Sequence, residues 1–161
     1  MPDERHPGAQ QPTLKKIDLT IARLRILLAD VTAREAALDD QRRTCRDQHN
    51  KLVTFSIYGD SSLDSVLAML ADVQERLENI EATSRALGAI RKRAETELES
   101  LQLTKGIEEA KVLLQQLQAQ QLEPAGALSP DEIQAEIARL RTLINEASER
   151  AAESIRSTRR T

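Results

Sequence analysis

Apolar residues recur along the first third of the chain in alternating steps of three and four, at Leu14, Ile17, Ile21, Leu24, Leu28, Val31, Leu38, Cys45 and Leu52. Glu35, Arg42 and His49 occupy the same register, so the seam of this helix is interrupted by polar side chains. A repeat averaging about 3.5 residues is the signature of a helix that buries a narrow stripe against a partner helix. The pattern resumes at Leu63, Val66, Leu70, Val73, Leu77, Ile80, Ser84, Leu87, Arg91, Ala94, Leu98 and Leu101. It then slips and restarts at Ile107, Ala110, Leu114 and Leu117, which predicts a stutter or kink around Thr104 to Gly106. A third seam runs through Ile133, Ile137, Leu140, Ile144, Ala147 and Ala151.

The punctuation between these seams sets the element boundaries. All the prolines (Pro2, Pro7, Pro12, Pro124, Pro130) lie outside the stretch from Thr13 to Glu123, which is therefore free to be almost continuously helical. One break is expected, at Tyr58-Gly59-Asp60-Ser61-Ser62, with Gly59 in the left-handed position after a helix and Asp60 or Ser61 capping the next. Leu128-Ser129-Pro130-Asp131-Glu132-Ile133 combines a capping Ser, a Pro in the first turn, a Glu three residues on and a Leu/Ile staple. The reading is a disordered tail over 1–12, a helical hairpin over 13–122 turning at about 58–61, a linker over 123–128, a third helix over 129–157 and a basic tail over 158–161.

The fold expected is all-α: an elongated antiparallel coiled-coil hairpin of two long helices, with a shorter third helix packing back to give a partial three-helix bundle. At about 1.5 Å per residue the hairpin would be on the order of 65 to 70 Å long and helix 2 on the order of 90 Å. Helix 3 is expected to cover the part of helix 2 beyond about Lys105 and to lie beside the first turns of helix 1, where Leu19, Ile26 and Leu27 widen the apolar face.

Composition reinforces the helical reading. With a single Phe, a single Tyr and no Trp, the chain lacks the bulky side chains of a compact core, and 30% of its residues are charged. The net charge of −3 gives no overall attraction to nucleic acid or anionic membrane. No apolar run approaches the roughly 20 residues that span a bilayer, and the N-terminus has no secretory pattern. The expectation is an intracellular, soluble, cytoplasmic protein without membrane insertion. Residues 1–57 carry 10 basic and 8 acidic groups, against 7 and 11 in residues 58–122, a balance that suits antiparallel pairing.

Candidate chemistry is sparse. Cys45 and His49 share a helix face at a spacing that suits zinc, yet with His6 the only other such ligand a full site would need self-association, and packing is the simpler role. The glycines form no phosphate-binding motif, and Arg156, Arg159 and Arg160 lack the aromatic neighbours of a nucleic-acid surface. No catalytic, cofactor or metal residues are assigned, and the chain is not expected to be an enzyme.

What stands out is a mismatch near the turn. Helix 2 offers Leu63, Val66, Leu67, Met69, Leu70, Val73, Leu77 and Ile80, whereas the opposing segment of helix 1 runs from Gln41 to Lys51 and is almost wholly polar. A pairing that sets Leu70 against His49 and Leu77 against Arg42 would leave this stripe open, with Phe55 and Tyr58 beside it. Alternatively the aliphatic stems of Arg42, Arg46 and Lys51 cover it. The open stripe implies a partner-binding site for other protein subunits, or for a second copy, through helix–helix contacts. The function expected is a coiled-coil scaffold or adaptor subunit, with a helical-hairpin chaperone or secretion-stalk-like factor, holding a client at the tip, as the alternative.

Overall fold

The computed structural model describes residues 11–122 and 129–158. They form three helices, α1 (Gln11–Tyr58), α2 (Leu63–Leu122) and α3 (Pro130–Thr158), with no strand among the described residues. Of the expected tail over 1–12, residues 1–10 lie outside them, as do the linker over 123–128 with the staple residue Leu128 and Arg159 and Arg160, whereas Gln11 and Pro12 belong to α1, proline being tolerated in a helix's first turn. The all-α fold read from the periodicity is present, with α1 and α2 packed extensively on each other and α3 packed on α2. The long helices are built from residues that lose little side-chain freedom in a helix, chiefly Leu, Ala, Gln, Glu and Arg. Less suited threonines return their hydroxyls to the preceding turn, as Thr20 does to the Lys16 carbonyl at 2.9 Å and Thr104 to Ser100 at 2.9 Å.

The chain divides into two compact units, one comprising residues 26–95 and the other residues 1–25 with 96–161. The first is an antiparallel hairpin. Its seam buries Val31 and Cys45 of α1 and Val66, Val73, Ile80 and Leu87 of α2. Cys45, Val73 and Ile80 form one apolar cluster, closed by the partly buried Leu38, Leu52 and Leu77. Two polar clasps cross the seam: Arg42 reaches Glu81 at 3.0 Å, and Arg91 reaches Glu35 at 2.6 Å and Thr32 at 2.8 Å. In these contacts Arg42 reaches Glu81, four residues beyond the Leu77 that the expected pairing set against it.

The turn differs from expectation in its chemistry. Gly59 is not in a left-handed conformation. Its amide continues the helical pattern by donating to the Phe55 carbonyl at 2.8 Å, and a Cβ there would lie 2.5 Å from that oxygen and 2.9 Å from the Phe55 ring. Glycine is required for close approach, not for an unusual dihedral. The cap of α2 is Ser62, one residue beyond the two nominated: its hydroxyl accepts from the Ser65 amide at 3.3 Å and its carbonyl from Val66 at 3.2 Å.

The other unit joins the first turns of α1, the second half of α2 and all of α3. Ile17 and Ile21 are buried, and Asp18 receives the Lys105 ammonium at 2.6 Å. On α2, Ala110 and Leu117 form a cluster with Ile133, Ile137 and Leu140 of α3, flanked by Leu114 and Ile144. α3 begins with the capping box expected: the Ser129 amide donates to the Glu132 carboxylate at 3.0 Å, and the Glu132 amide donates to the Ser129 hydroxyl at 3.4 Å. α2 runs unbroken through the expected stutter, and residues 103–108 are half-buried all round. Leu19 in this unit, and Ile26 and Leu27 in the other, are exposed, so the wider apolar face of α1 is left to solvent, not covered as expected.

Candidate protein-interaction surface

The residues nominated near the turn fall into two groups. Val66, Val73 and Ile80 face α1 and are buried, Val66 completely, while Leu70 and Leu77 are half-buried along the same seam. These five are closed within the chain, and the expectation that the whole stripe stands open is corrected. Leu38, Cys45 and Leu52, the apolar seam residues of this part of α1, pack in one cluster with Val73, Leu77 and Ile80 of α2 and close the stripe. Arg42, with 19% of its side chain exposed, lies across the seam as the covering alternative required of it. Leu63, Leu67, Met69, Phe55 and Tyr58 remain exposed.

Helix geometry assigns the exposed residues to faces. The Arg42–Glu81 ion pair marks one flank of the hairpin on both helices. Steps of four and seven residues from Arg42 along α1 lead to Arg46, Val53 and Ile57, and steps of seven and four from Glu81 back along α2 lead to Gln74, Leu67 and Leu63. Val53, Ile57, Leu63 and Leu67 therefore form one aliphatic face on the last turns before the bend. Ile57 is 67% and Leu63 66% exposed. Single exposed apolar residues are ordinary, but four aliphatics from two helices at one end are a patch. Phe55 and Met69 lie on the opposite flank, where a shallow groove is lined by Asn50, Lys51, Thr54, Phe55, Tyr58 and Gly59. Tyr58, 84% exposed, stands at the end of α1.

Val53 and Ile57 were not among the residues nominated from the sequence. The signal for them is Leu52-Val53-Thr54-Phe55-Ser56-Ile57-Tyr58, where apolar residues alternate. In a helix such alternation cannot all be buried on one side.

The electrostatics of the surface are local. Along the body of the hairpin the cross-helix cations are paired, and donation from Arg91 holds the Glu35 carboxyl below its usual range, with burial opposing. The same bonds raise Arg91. In the other unit the Asp18 carboxylate raises Lys105. Toward the turn, Arg46, Asp60 and Asp64 make no ion pair among the described residues. Cys45 lies in the apolar seam beside a groove bordered by Gln41, Thr44, Gln48 and Asn79. His49 is half-buried one turn on. Among the described residues no three His, Cys, Asp or Glu side chains gather in a metal-binding arrangement, and no helix is long and apolar enough to cross a membrane.

No protein-family model, curated protein or solved structure matches the chain.

Proposed function

We propose that this chain is a non-enzymatic coiled-coil scaffold or adaptor subunit of the cytoplasm, joining protein partners by helix–helix contact in a larger assembly. One observation carries the reading: the aliphatic face of Val53, Ile57, Leu63 and Leu67, exposed beside a seam that is otherwise closed. A partner helix laid in the shallow furrow between α1 and α2 would bury these side chains, each worth roughly 1.5 to 3 kcal/mol when fully removed from water. The heptad seams support the coiled-coil part of the reading, since the same spacing that closes the hairpin suits further helices.

A client-holding hairpin is the second reading, favoured by Tyr58 and the groove beside Phe55, which add apolar surface at the same end without a defined shape. Affinity recovery from the native source separates the two. An adaptor returns stoichiometric subunits, whereas a holdase returns a mixture below stoichiometry. The double change Leu63→Glu with Leu67→Glu is expected to abolish recovery while circular dichroism stays helical. Undiminished recovery by that variant would remove the surface from both readings.

A further inference from the structure

We infer that the two ion pairs crossing the hairpin seam, Arg91–Glu35 and Arg42–Glu81, are its register lock: they select one heptad alignment of α1 on α2 from several that apolar packing alone would accept. The need for a lock is visible in the seam. Val31, Leu38, Cys45 and Leu52 on α1, and Val66, Val73, Ile80, Leu87 and Ala94 on α2, recur at every seventh position and are buried or half-buried. Sliding one helix by a heptad, about 10.5 Å, replaces each of these residues by the next apolar member of its row, so burial changes little. The bend decides little more. Phe55, Ile57, Tyr58 and Leu63 around it are exposed, and turns unwound there surrender little buried surface.

The charges do discriminate between alignments. On α1 the acid and the base, Glu35 and Arg42, stand one heptad apart, and on α2 they meet Arg91 and Glu81. A slip of seven residues in one direction brings Arg42 to the place of Glu35, against Arg91. In the other direction Glu35 takes the place of Arg42, against Glu81, and Arg91 is left facing Leu28. Either slip sets like charge on like and breaks both pairs. The Arg91 pair is also demanding in position. Its Nη2 donates to the Glu35 carboxylate at 2.6 Å and to the Thr32 hydroxyl at 2.8 Å, while Nε donates to the same carboxylate at 3.2 Å. A planar fork held at three points fits one longitudinal setting. Both side chains are 30% exposed, and a partly buried ion pair adds little stability over apolar replacements. Specifying how helices align is the role that accounts for keeping one in a seam.

Distances between spin labels test the lock in the full chain. The labels sit on Ala36→Cys and Ala71→Cys, both exposed positions, with Cys45→Ala removing the native thiol, and labelled chain is diluted with unlabelled so that only distances within one chain are read. A heptad slip changes the separation along the hairpin by about 10 Å. Wild-type charges should give a single distance. Exchanging the α1 charges alone, Glu35→Arg with Arg42→Glu, keeps the composition but sets like on like in the observed alignment and opposite charges together in the slipped ones. The distance should then move by about 10 Å. Adding the exchange on α2, Glu81→Arg with Arg91→Glu, should return the wild-type distance. The triple change Glu35→Leu, Arg42→Leu and Arg91→Leu should stay helical by circular dichroism while the single distance splits into populations about 10 Å apart. If the α1 exchange loses its helicity, the leucine variant decides. A single, unmoved wild-type distance in either of these variants, or a fourfold variant that fails to return to it, overturns the lock.

Discussion

Replacing Gly88 or Gly106 by alanine adds one methyl group inside α2 at positions where an added Cβ meets nothing within 4 Å. Neither glycine has a positive φ, so alanine fits the existing backbone. The expected change is then set by the helix itself: glycine inside a helix is worse than alanine by roughly 0.5 to 1 kcal/mol, because its unfolded chain has more freedom to lose. Each substitution should stabilise by about that much. The sites are about 27 Å apart along α2 and fall in different compact units, so the double variant should gain about 1 to 2 kcal/mol. With a urea m-value of about 2 kcal/mol/M, each single change moves the midpoint up by about 0.25 to 0.5 M. Urea unfolding followed at the helical circular-dichroism band measures it, with hydrogen exchange reporting the two units separately. An unchanged or lowered midpoint for either variant would refute the reasoning, and would mean that in solution another group approaches that glycine closely.

The remaining predictions concern the helix ends and the clasps. Ser129→Ala should destabilise the start of α3 by about 1 kcal/mol, read as faster hydrogen exchange in residues 131–140, while amides at the bend stay as they were. Gly59→Ala forces a Cβ against the Phe55 carbonyl and ring, so it should fray the last turn of α1 and lower the thermal midpoint despite alanine's better helix propensity. Acid should loosen both units: hydrogen bonds from the Ser129 amide and hydroxyl depress Glu132, and Arg91 depresses Glu35, so each carboxylate's contribution is full above its usual value of 4.5 and is lost as pH falls through its lowered one. Glu132→Gln should flatten that acid dependence in α3, by hydrogen exchange at pH 3 against pH 7; an unchanged dependence would exclude the cap as its source.

Much of the fold was legible because few competing structures were open to the sequence. Heptad spacing without proline from Thr13 to Glu123 leaves helix as the only regular choice, and Ser129 with Glu132 marks a helix start through hydrogen bonds that both side chains make locally. What could not be read was where apolar residues outside a seam would end up. Leu19, Ile26 and Leu27 widen the face of α1 in sequence, but periodicity reports only that a residue is apolar, and the neighbour expected to cover them is fixed by contacts far along the chain.

The misjudged register has a definite origin. The turn was expected to pass directly from about residue 57 to about residue 61; in the structure α1 continues to Tyr58 and α2 begins only at Leu63, because Gly59 still follows the helical hydrogen-bond pattern and Ser62 is the cap. Lengthening the first arm and delaying the second moves the centre of the hairpin, and each residue of that shift counts on both strands of the pairing. A difference of one or two residues at each end therefore grows to nearly a full turn of displacement between the helices. At the expected register Leu70 and Leu77 would sit against His49 and Arg42, leaving the stripe open. In the structure the seam residues Leu38, Cys45 and Leu52, which lie on either side of those polar positions, close on the stripe, and Arg42 reaches Glu81 at the edge. The apolar excess of the tip is divided: the seam positions of α2 from Val66 onward close on α1, while Val53, Ile57, Leu63 and Leu67 stay exposed. The composition of a stripe alone does not say which of its residues stay exposed; that division is fixed by how the two helices meet across the seam.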